Sequence, residues 1–286
     1  ALPICPTGSG KTTTLNSLLA QLAQERHRKI VSIENSVECQ VHSVSHLSIP
    51  QTVDGDEVSQ CVKSAWMAFL RLDPDVAVLG KVRDEFSAEM ALNAIQMGYT
   101  LLTKVHATSA LGMVDRLTSK AFGLRRDHVC QPDFFSALVY QVLTPVNCPS
   151  CKVRAMDVMS AESLTPYQTM FGLDLRNIYC ASEHGCDECL KPNIEYSERK
   201  HAGVNGVKVN AEVILPDEEM LLLLKDGKDI EARQAWRAKR IAKFDEPDMV
   251  GKEAWGHALY DMSCGLIDPY YFEMNFGLPK LFAAKV

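Results

Sequence analysis

The sequence predicts an α/β protein, a mostly parallel sheet with helices on both faces, followed by a small cysteine-bound region and C-terminal helices. Three observations predict it. Apolar, strand-like runs alternate with helix-patterned runs over the first third of the chain. A glycine-rich turn, "TGSGKTTT", opens the first helix, and the second half holds two Cys-x2-Cys pairs.

Residues 12–24, rich in Leu, Ala and Gln, predict a helix ending near the charged stretch "ERHRK". "IVSIE" (30–34) is a short β-branched strand. Over 56–72, Val58, Val62, Ala65, Trp66, Phe69 and Leu70 recur at helical spacing. Asp75 to Leu79 reads as a buried strand running out into Gly80 and charged positions. "SAEMALNAIQMG" (87–98) is a helix stopped by Gly98, and "YTLLTKVH" (99–106) is an apolar strand ending in His106. Strands and helices in this alternation place ligands beyond the C-terminal ends of the strands. Beyond about residue 145 the texture changes to cysteine pairs and irregular polar segments, which suggests a small region packed on the first domain. "GVKVNAEVIL" (206–215) is a further β-like run, and "DGKDIEARQAWRAKRIAKF" is a linker and a charged helix. The stretch 248–276 offers one more helix. These shifts divide the chain into 1–145, 146–215 and 216–286.

The 286 residues are 47% apolar, enough for a sizeable core in one or two domains. A net charge of −6 gives no general electrostatic case for nucleic acid as the main partner. There is no apolar run near 18 residues and no export signal. The chain enters its glycine-rich turn almost at once, with little room for a feeding strand, so the sequence reads as a piece of a longer protein.

The turn presents Thr7, Gly8, Ser9, Gly10, Lys11, Thr12 and Thr13 ahead of a helix. Small residues let consecutive backbone N–H groups converge on phosphate oxygens, and the helix adds its positive end. In this pattern Lys11 reaches the phosphates of ATP and the Thr12 hydroxyl is the Mg²⁺ ligand. Cys5 stands where the pattern has its first glycine. Residues 1–145 are therefore read as a nucleotide-binding core.

Hydrolysis needs a carboxylate beside water, and the position after Gly80 is Lys81, which supplies no oxygen. The remaining candidates are Glu34, Glu38 and Asp84. Glu34 is the best placed, at the end of a strand; a solvated surface glutamate is its alternative. His106, also at a strand end, is a candidate for sensing the γ-phosphate or holding water. Arg83 and Arg116 pair either with phosphate or with structural acids.

Cys148, Cys151, Cys186 and Cys189 form two knuckle-like pairs, the spacing of a structural Zn²⁺ site in a reducing compartment; a redox-active pair is the competing view. Cys180 either substitutes in that set or is a buried thiol. Cys5, Cys39, Cys61, Cys130 and Cys264 read as small hydrophobes.

Taken in order, "CPTGSGKTTTLNSLL", "SIENSVECQ", "FLRLDPDVAVLGKVRDEFSAEMALNAIQMGYTLLTKVHATSA" and the cysteine pairs followed by "AGVNGVKVNAEVI" resemble the type II secretion and type IV pilus assembly ATPases. The likeness runs from residue 1 to about 225. It implies a RecA-like P-loop NTPase fold with ATP, Mg²⁺ and Zn²⁺. It also implies a cytoplasmic homo-hexameric ring, docked on an inner-membrane platform protein, that couples ATP hydrolysis to pilin or pseudopilin assembly. Membrane association is then peripheral, through partners. The resemblance carries the phosphate loop onto Gly8, Gly10, Lys11 and Thr12, the acidic-box glutamate onto Glu34 and the box histidine onto His106. Arg83 and Asp84 match the end of the second nucleotide motif. The chain departs from the family at Cys5, Asn35 and Lys81, and the family's N-terminal domain is absent. The departures touch chemistry more than fold, so impaired turnover is expected. Two alternatives stand beside the motor: a nucleotide-binding subunit deficient in hydrolysis, and a zinc-stabilised scaffold with a vestigial loop.

Overall fold

The computed structural model describes residues 8–25, 28–34, 37, 39–48, 55–190 and 202–283, with only the backbone of 55–63. The chain folds as two compact units. The first comprises Ala1–Tyr140 with Val213–Ala235, and the second Gln141–Glu212 with Trp236–Val286.

In the first unit, α1 (Lys11–Leu22) leads to β1 (Ile30–Glu34), β2 (Val44–Ser48), α2 (Gly55–Leu72), β3 (Val76–Val82), α3 (Glu85–Gln96) and β4 (Thr100–Val105). The strands lie in the order β2-β1-β3-β4, all parallel. Every residue of β1 and all but the first of β4 are buried. A parallel sheet covered on both faces demands this, which is why "IVSIE" and "LLTKV" are unbroken runs that sequence alone exposes. β2 was not anticipated. It is an edge strand, only partly buried, and its "VSHLS" offers no apolar run.

Leu15 and Leu19 of α1, one turn apart, pack on Ile30, Val76, Val78 and Leu102. The alternate residues of β4, Leu101, Thr103 and Val105, face the other way. There they meet Ala91 of α3 and Met113 and Leu117 of α4 (Gly112–Leu117). On α2 the predicted apolar face is real where side chains are described: Phe69 is fully buried, stacked on Trp66 at 4.9 Å and edge-on to Tyr99 at 5.7 Å. Asp84 starts α3 as its N-cap, accepting from the Ser87 N–H at 2.8 Å. α5 (Arg126–Val129) follows, and Arg126 pairs with Asp115 at 3.0 Å.

Strand β5 (Leu138–Asn147) carries the chain from the first unit into the second. There β6 (Val153–Arg154), α6 (Ala155–Val158), α7 (Ala161–Thr169) and β7 (Tyr179–Cys180) follow, with β6 and β7 antiparallel. β8 (Val204–Ile214), paired with β5, matches the predicted run at 206–215 and returns the chain to the first unit. α8 (Glu218–Lys225), capped by Asp217, buries Met220, Leu221 and Leu224. In α9 (Asp229–Ala238), which is the predicted charged helix, Asp229 joins Arg126.

The remainder belongs to the second unit. The stretch read as a single helix forms two, α10 (Ala254–Ser263) and α11 (Pro269–Phe276). Asp268 caps α11 by accepting from the Tyr270 N–H at 2.7 Å, and Pro269 opens it with a residue that has no N–H to satisfy. The two helices complete an aromatic core in which Phe171, Phe244, Trp255 and Phe282 pack edge to face or tilted. Beside it Asp261, fully buried, accepts from Lys208 Nζ at 2.6 Å and Asn210 Nδ2 at 2.8 Å. Among the described residues no helix is long and apolar enough to cross a membrane.

Candidate functional site

The glycine-rich turn has the backbone its composition implies. Gly8 and Gly10 lie at φ 81° and 80°, left-handed conformations that residues with a Cβ rarely adopt. A Cβ on Gly8 would meet nothing within 4 Å, so the glycine serves the backbone and not the packing. α1 begins at Lys11. Its cap, Gly10, contributes no side-chain hydrogen bond, and its first turn holds no acid. The positive end of the helix is thus left uncompensated by local carboxylates, as an anion site requires. Ser9 is buried and Thr12 lies in the first turn. Thr7 and Cys5 lie outside the described residues.

The strand ends form one rung above this helix terminus. Ile33 pairs with Leu79 and Leu79 with Thr103, which puts Glu34, Gly80 and Lys104 next along their strands. Ile30, Val78 and Leu102 face α1, so by the pleat these three positions share that face. Glu34 is 8% exposed. A Cβ at Gly80 would stand 3.1 Å from Glu34 Cγ, so glycine keeps the middle of the rung open beside the acid. With strands about 4.8 Å apart, Glu34 and Lys104 stand about 10 Å apart across that gap.

Glu34 has a partner that sequence reasoning missed. His46 on β2 sits 3.5 Å (Nδ1) from Glu34 Oε1 and 2.7 Å from Ser32 Oγ, while its Nε2 accepts from the Val41 N–H at 3.1 Å. A backbone N–H can only donate, so Nε2 carries the lone pair and the ring proton is on Nδ1, aimed at Ser32 and Glu34. His46 thus bonds Ser32 and flanks the Glu34 carboxylate. No motif marks it; its signal is parity, two strands placing Ser32 level with His46.

The other predicted residues divide. Lys81 is exposed within β3, and His106 is exposed just past β4. Asp84 caps α3 through Oδ1, a structural role that accounts for its position without chemistry. Arg83 lies 4.0 Å from Asp84 in solvent, and Arg116 covers the Phe122 ring at 4.7 Å, a structural contact. Glu38 and Asn35 lie outside the described residues.

The Mg²⁺ expectation meets an obstacle. Lys104, 4% exposed, donates from Nζ to Thr12 Oγ1 at 3.2 Å. The hydroxyl expected to ligate a divalent cation therefore faces an ammonium, and these residues as arranged do not fit Mg²⁺ there.

In the second unit the four cysteines converge. Their sulfurs lie within 4.8 Å of one another, with Cys148–Cys186 at 3.7 Å, Cys151–Cys189 at 3.8 Å and Cys186–Cys189 at 3.9 Å. A tetrahedral ion with Zn–S bonds of about 2.3 Å needs S–S edges of about 3.8 Å, so the set fits Zn²⁺. Each knuckle is a tight turn: the Lys152 N–H donates to Cys148 O at 3.0 Å, and the Leu190 N–H to Cys186 O at 2.8 Å. Cys180 is outside the set, packed in the aromatic core, where burial pushes its thiol up to about 12. Cys130 is buried as expected, whereas Cys39 and Cys264 are exposed rather than core residues. Cys5 lies outside the described residues, as does the Cys61 side chain.

Gly203 holds the first knuckle, its carbonyl accepting from the Cys148 N–H at 2.7 Å, at φ 75°. A Cβ there would come within 2.4 Å of the Ser182 backbone. Gly203→Ala is expected to cost more than about 2 kcal/mol, seen as a lower denaturant midpoint together with weaker zinc retention.

Left-handed glycines at the head of a helix, set against the C-terminal ends of a parallel sheet, define a P-loop nucleotide-binding domain of RecA-like fold, here joined to a four-cysteine centre able to chelate a metal. The model of the type II/IV secretion system protein family matches residues 4–241, and the chain belongs to that family. It is 31% identical to competence protein ComGA of Bacillus subtilis over 60% of this chain and 47% of that protein. It is 34% identical to type II secretion system protein E of Pseudomonas aeruginosa over 51% of this chain and 27% of that protein. The chain thus matches less than half the length of these curated relatives. Among solved structures it shares the fold of the pilus retraction motor PilT with bound ADP, at TM-score 0.63 and 17% identity, covering 98% of this chain and 62% of that one. The Legionella pneumophila ATPase DotB is similar at TM-score 0.57 and 19% identity, covering 100% and 60%.

Proposed function

We propose that this chain is the ATP-binding motor domain of a type II secretion or type IV pilus machine, coupling ATP hydrolysis to pilin or pseudopilin assembly. The observation that supports it most is the left-handed Gly8–Gly10 turn at the head of an acid-free helix terminus, beside a rung that ends in a buried, oriented glutamate. In this reading the backbone from Thr7 to Thr13 and the Lys11 ammonium grip the phosphates. Glu34, steered by His46, orients water and takes its proton, and His106 is assigned the sensing of the phosphate end. In this reading six such chains form a ring at the cytoplasmic face of the inner membrane on a platform protein, an arrangement that family membership supports. Cys148, Cys151, Cys186 and Cys189 would hold a structural Zn²⁺ that ties two knuckles together; none of their sulfurs takes part in the phosphate chemistry.

Binding of ATP and release of phosphate, measured side by side, test this. Lys11→Ala is expected to weaken ATP by about 10- to 100-fold, the worth of a charged hydrogen-bond contact. Glu34→Gln should keep the affinity and lower phosphate release by about 100-fold or more. Failure to bind ATP would sink the motor and leave a zinc-bearing scaffold. A second reading, a subunit that binds but does not hydrolyse, is favoured by Lys81, which puts an exposed cation where an acid would assist water. It predicts negligible release by the parent and release gained in Lys81→Glu.

A further inference from the structure

Lys104 is a residue that the phosphate-loop motif does not need, and yet it reaches that loop. Its direction follows from the pleat: Leu102 packs under α1, so Lys104, two residues on, emerges on the same face at the level of the first helical turn. A bulge on the neighbouring strand lies opposite it. Leu79 pairs with Thr103 and Val82 with Val105, leaving Gly80 and Lys81 opposite Lys104 alone. Bulges of this kind bend the strand that carries the extra residue, here β3. Lys104 itself is 4% exposed, and its Nζ donates to Thr12 Oγ1 at 3.2 Å.

An ion coordinated by the Thr12 hydroxyl at about 2.1 Å would stand directly beside this ammonium. Two cations at one hydroxyl repel, and the low polarity of a buried site strengthens the repulsion. A triphosphate without metal carries the extra negative charge that a second ammonium, added to that of Lys11, can match. Lys81 on the facing bulge brings another positive charge and no oxygen ligand. We propose, building on the nucleotide-binding reading above, that the Lys104 ammonium takes the place of the divalent cation. The loop would then grip a nucleoside triphosphate free of metal.

The test is calorimetric titration of the 286-residue chain with ATP, once with excess Mg²⁺ and once in buffer stripped of divalent ions by a chelating resin. Zinc content is measured before and after, so that the cysteine centre is known to be intact. The expected result is that metal-free ATP binds at least as tightly as Mg²⁺-ATP, within about threefold. In Lys104→Met, which keeps the aliphatic stem, and in Lys104→Thr, affinity for metal-free ATP should fall at least about tenfold, with Mg²⁺ restoring it. Parent affinity that collapses by tenfold or more without Mg²⁺ overturns the inference while leaving nucleotide binding in place. So does a well-folded Lys104→Met that binds metal-free ATP as the parent does. Absence of binding in both buffers removes the nucleotide-binding reading itself, and the inference with it.

Discussion

Cys148→Ser is expected to abolish metal binding at the four-cysteine centre and to destabilise the second unit by several kcal/mol. The four sulfurs stand at tetrahedral separations, and the Cys186 N–H also donates to Cys189 Sγ at 3.1 Å, so the turns of both knuckles direct the thiols to one point. A structural Zn²⁺ contributes about 10–16 kcal/mol of apparent binding energy in isolated finger peptides. Here β6, β7 and the aromatic core support the same segment, so losing one thiolate should cost less, about 3–5 kcal/mol. Zinc content by atomic emission and a chemical melt followed by Trp fluorescence check it. A chain free of zinc, or a variant melting with the parent, would argue for a reduced, metal-free cluster instead.

The second large effect is Trp255→Ala. Trp255 is 7% exposed, lies 4.7 Å from Phe282, 5.1 Å from Phe244 and 6.0 Å from Phe171, and donates from Nε1 to Glu253 Oε2. Removing it leaves a cavity bounded by three rings that cannot collapse together, and strips one donor from Glu253, which also receives Arg237 at 2.9 Å. About 3–5 kcal/mol of stability is expected to go. Trp255→Phe should recover more than half of it, because a ring is kept and the indole contact alone is lost. Equilibrium urea denaturation measures both. An alanine variant within about 1 kcal/mol of the parent would show that this core is not what holds the second unit.

These two cases mark where sequence is informative. Local patterns found α1, β1, α2, β3, α3, β4 and β8, because a covered parallel strand is mostly apolar, a helix against it repeats every three to four residues, and β8 is itself a β-branched run. Spacing found the cysteines, because a knuckle needs two residues between its thiolates. The tail around Trp255 was only half legible. Its rings come from five separated stretches, and each alone is too short or too polar to announce a core. The site divides the same way. Gly8, Gly10 and Lys11 sit in one contiguous motif, so the left-handed turn ahead of α1 was legible. His46 and Lys104 reach partners on other elements, and those contacts follow from register, which a linear pattern does not contain. Asp84, which looked chemically attractive beside Arg83, is a helix cap, since a carboxylate three residues before a serine serves that purpose equally well.

The single interruption of the first unit has a consequence for the order in which the protein is made. Residues 213–235, which supply the apolar face of α8 and the Asp229 partner of Arg126, emerge from the ribosome only after 141–212. The nucleotide-binding half therefore cannot close when its sheet is synthesised. It waits with an uncovered surface while the intervening cysteine segment is delivered. A stop codon placed near residue 140 accordingly yields an open, aggregation-prone product rather than a minimal domain. The smaller protein that preserves this half must instead join β5 to β8 by a short turn across the deleted insert.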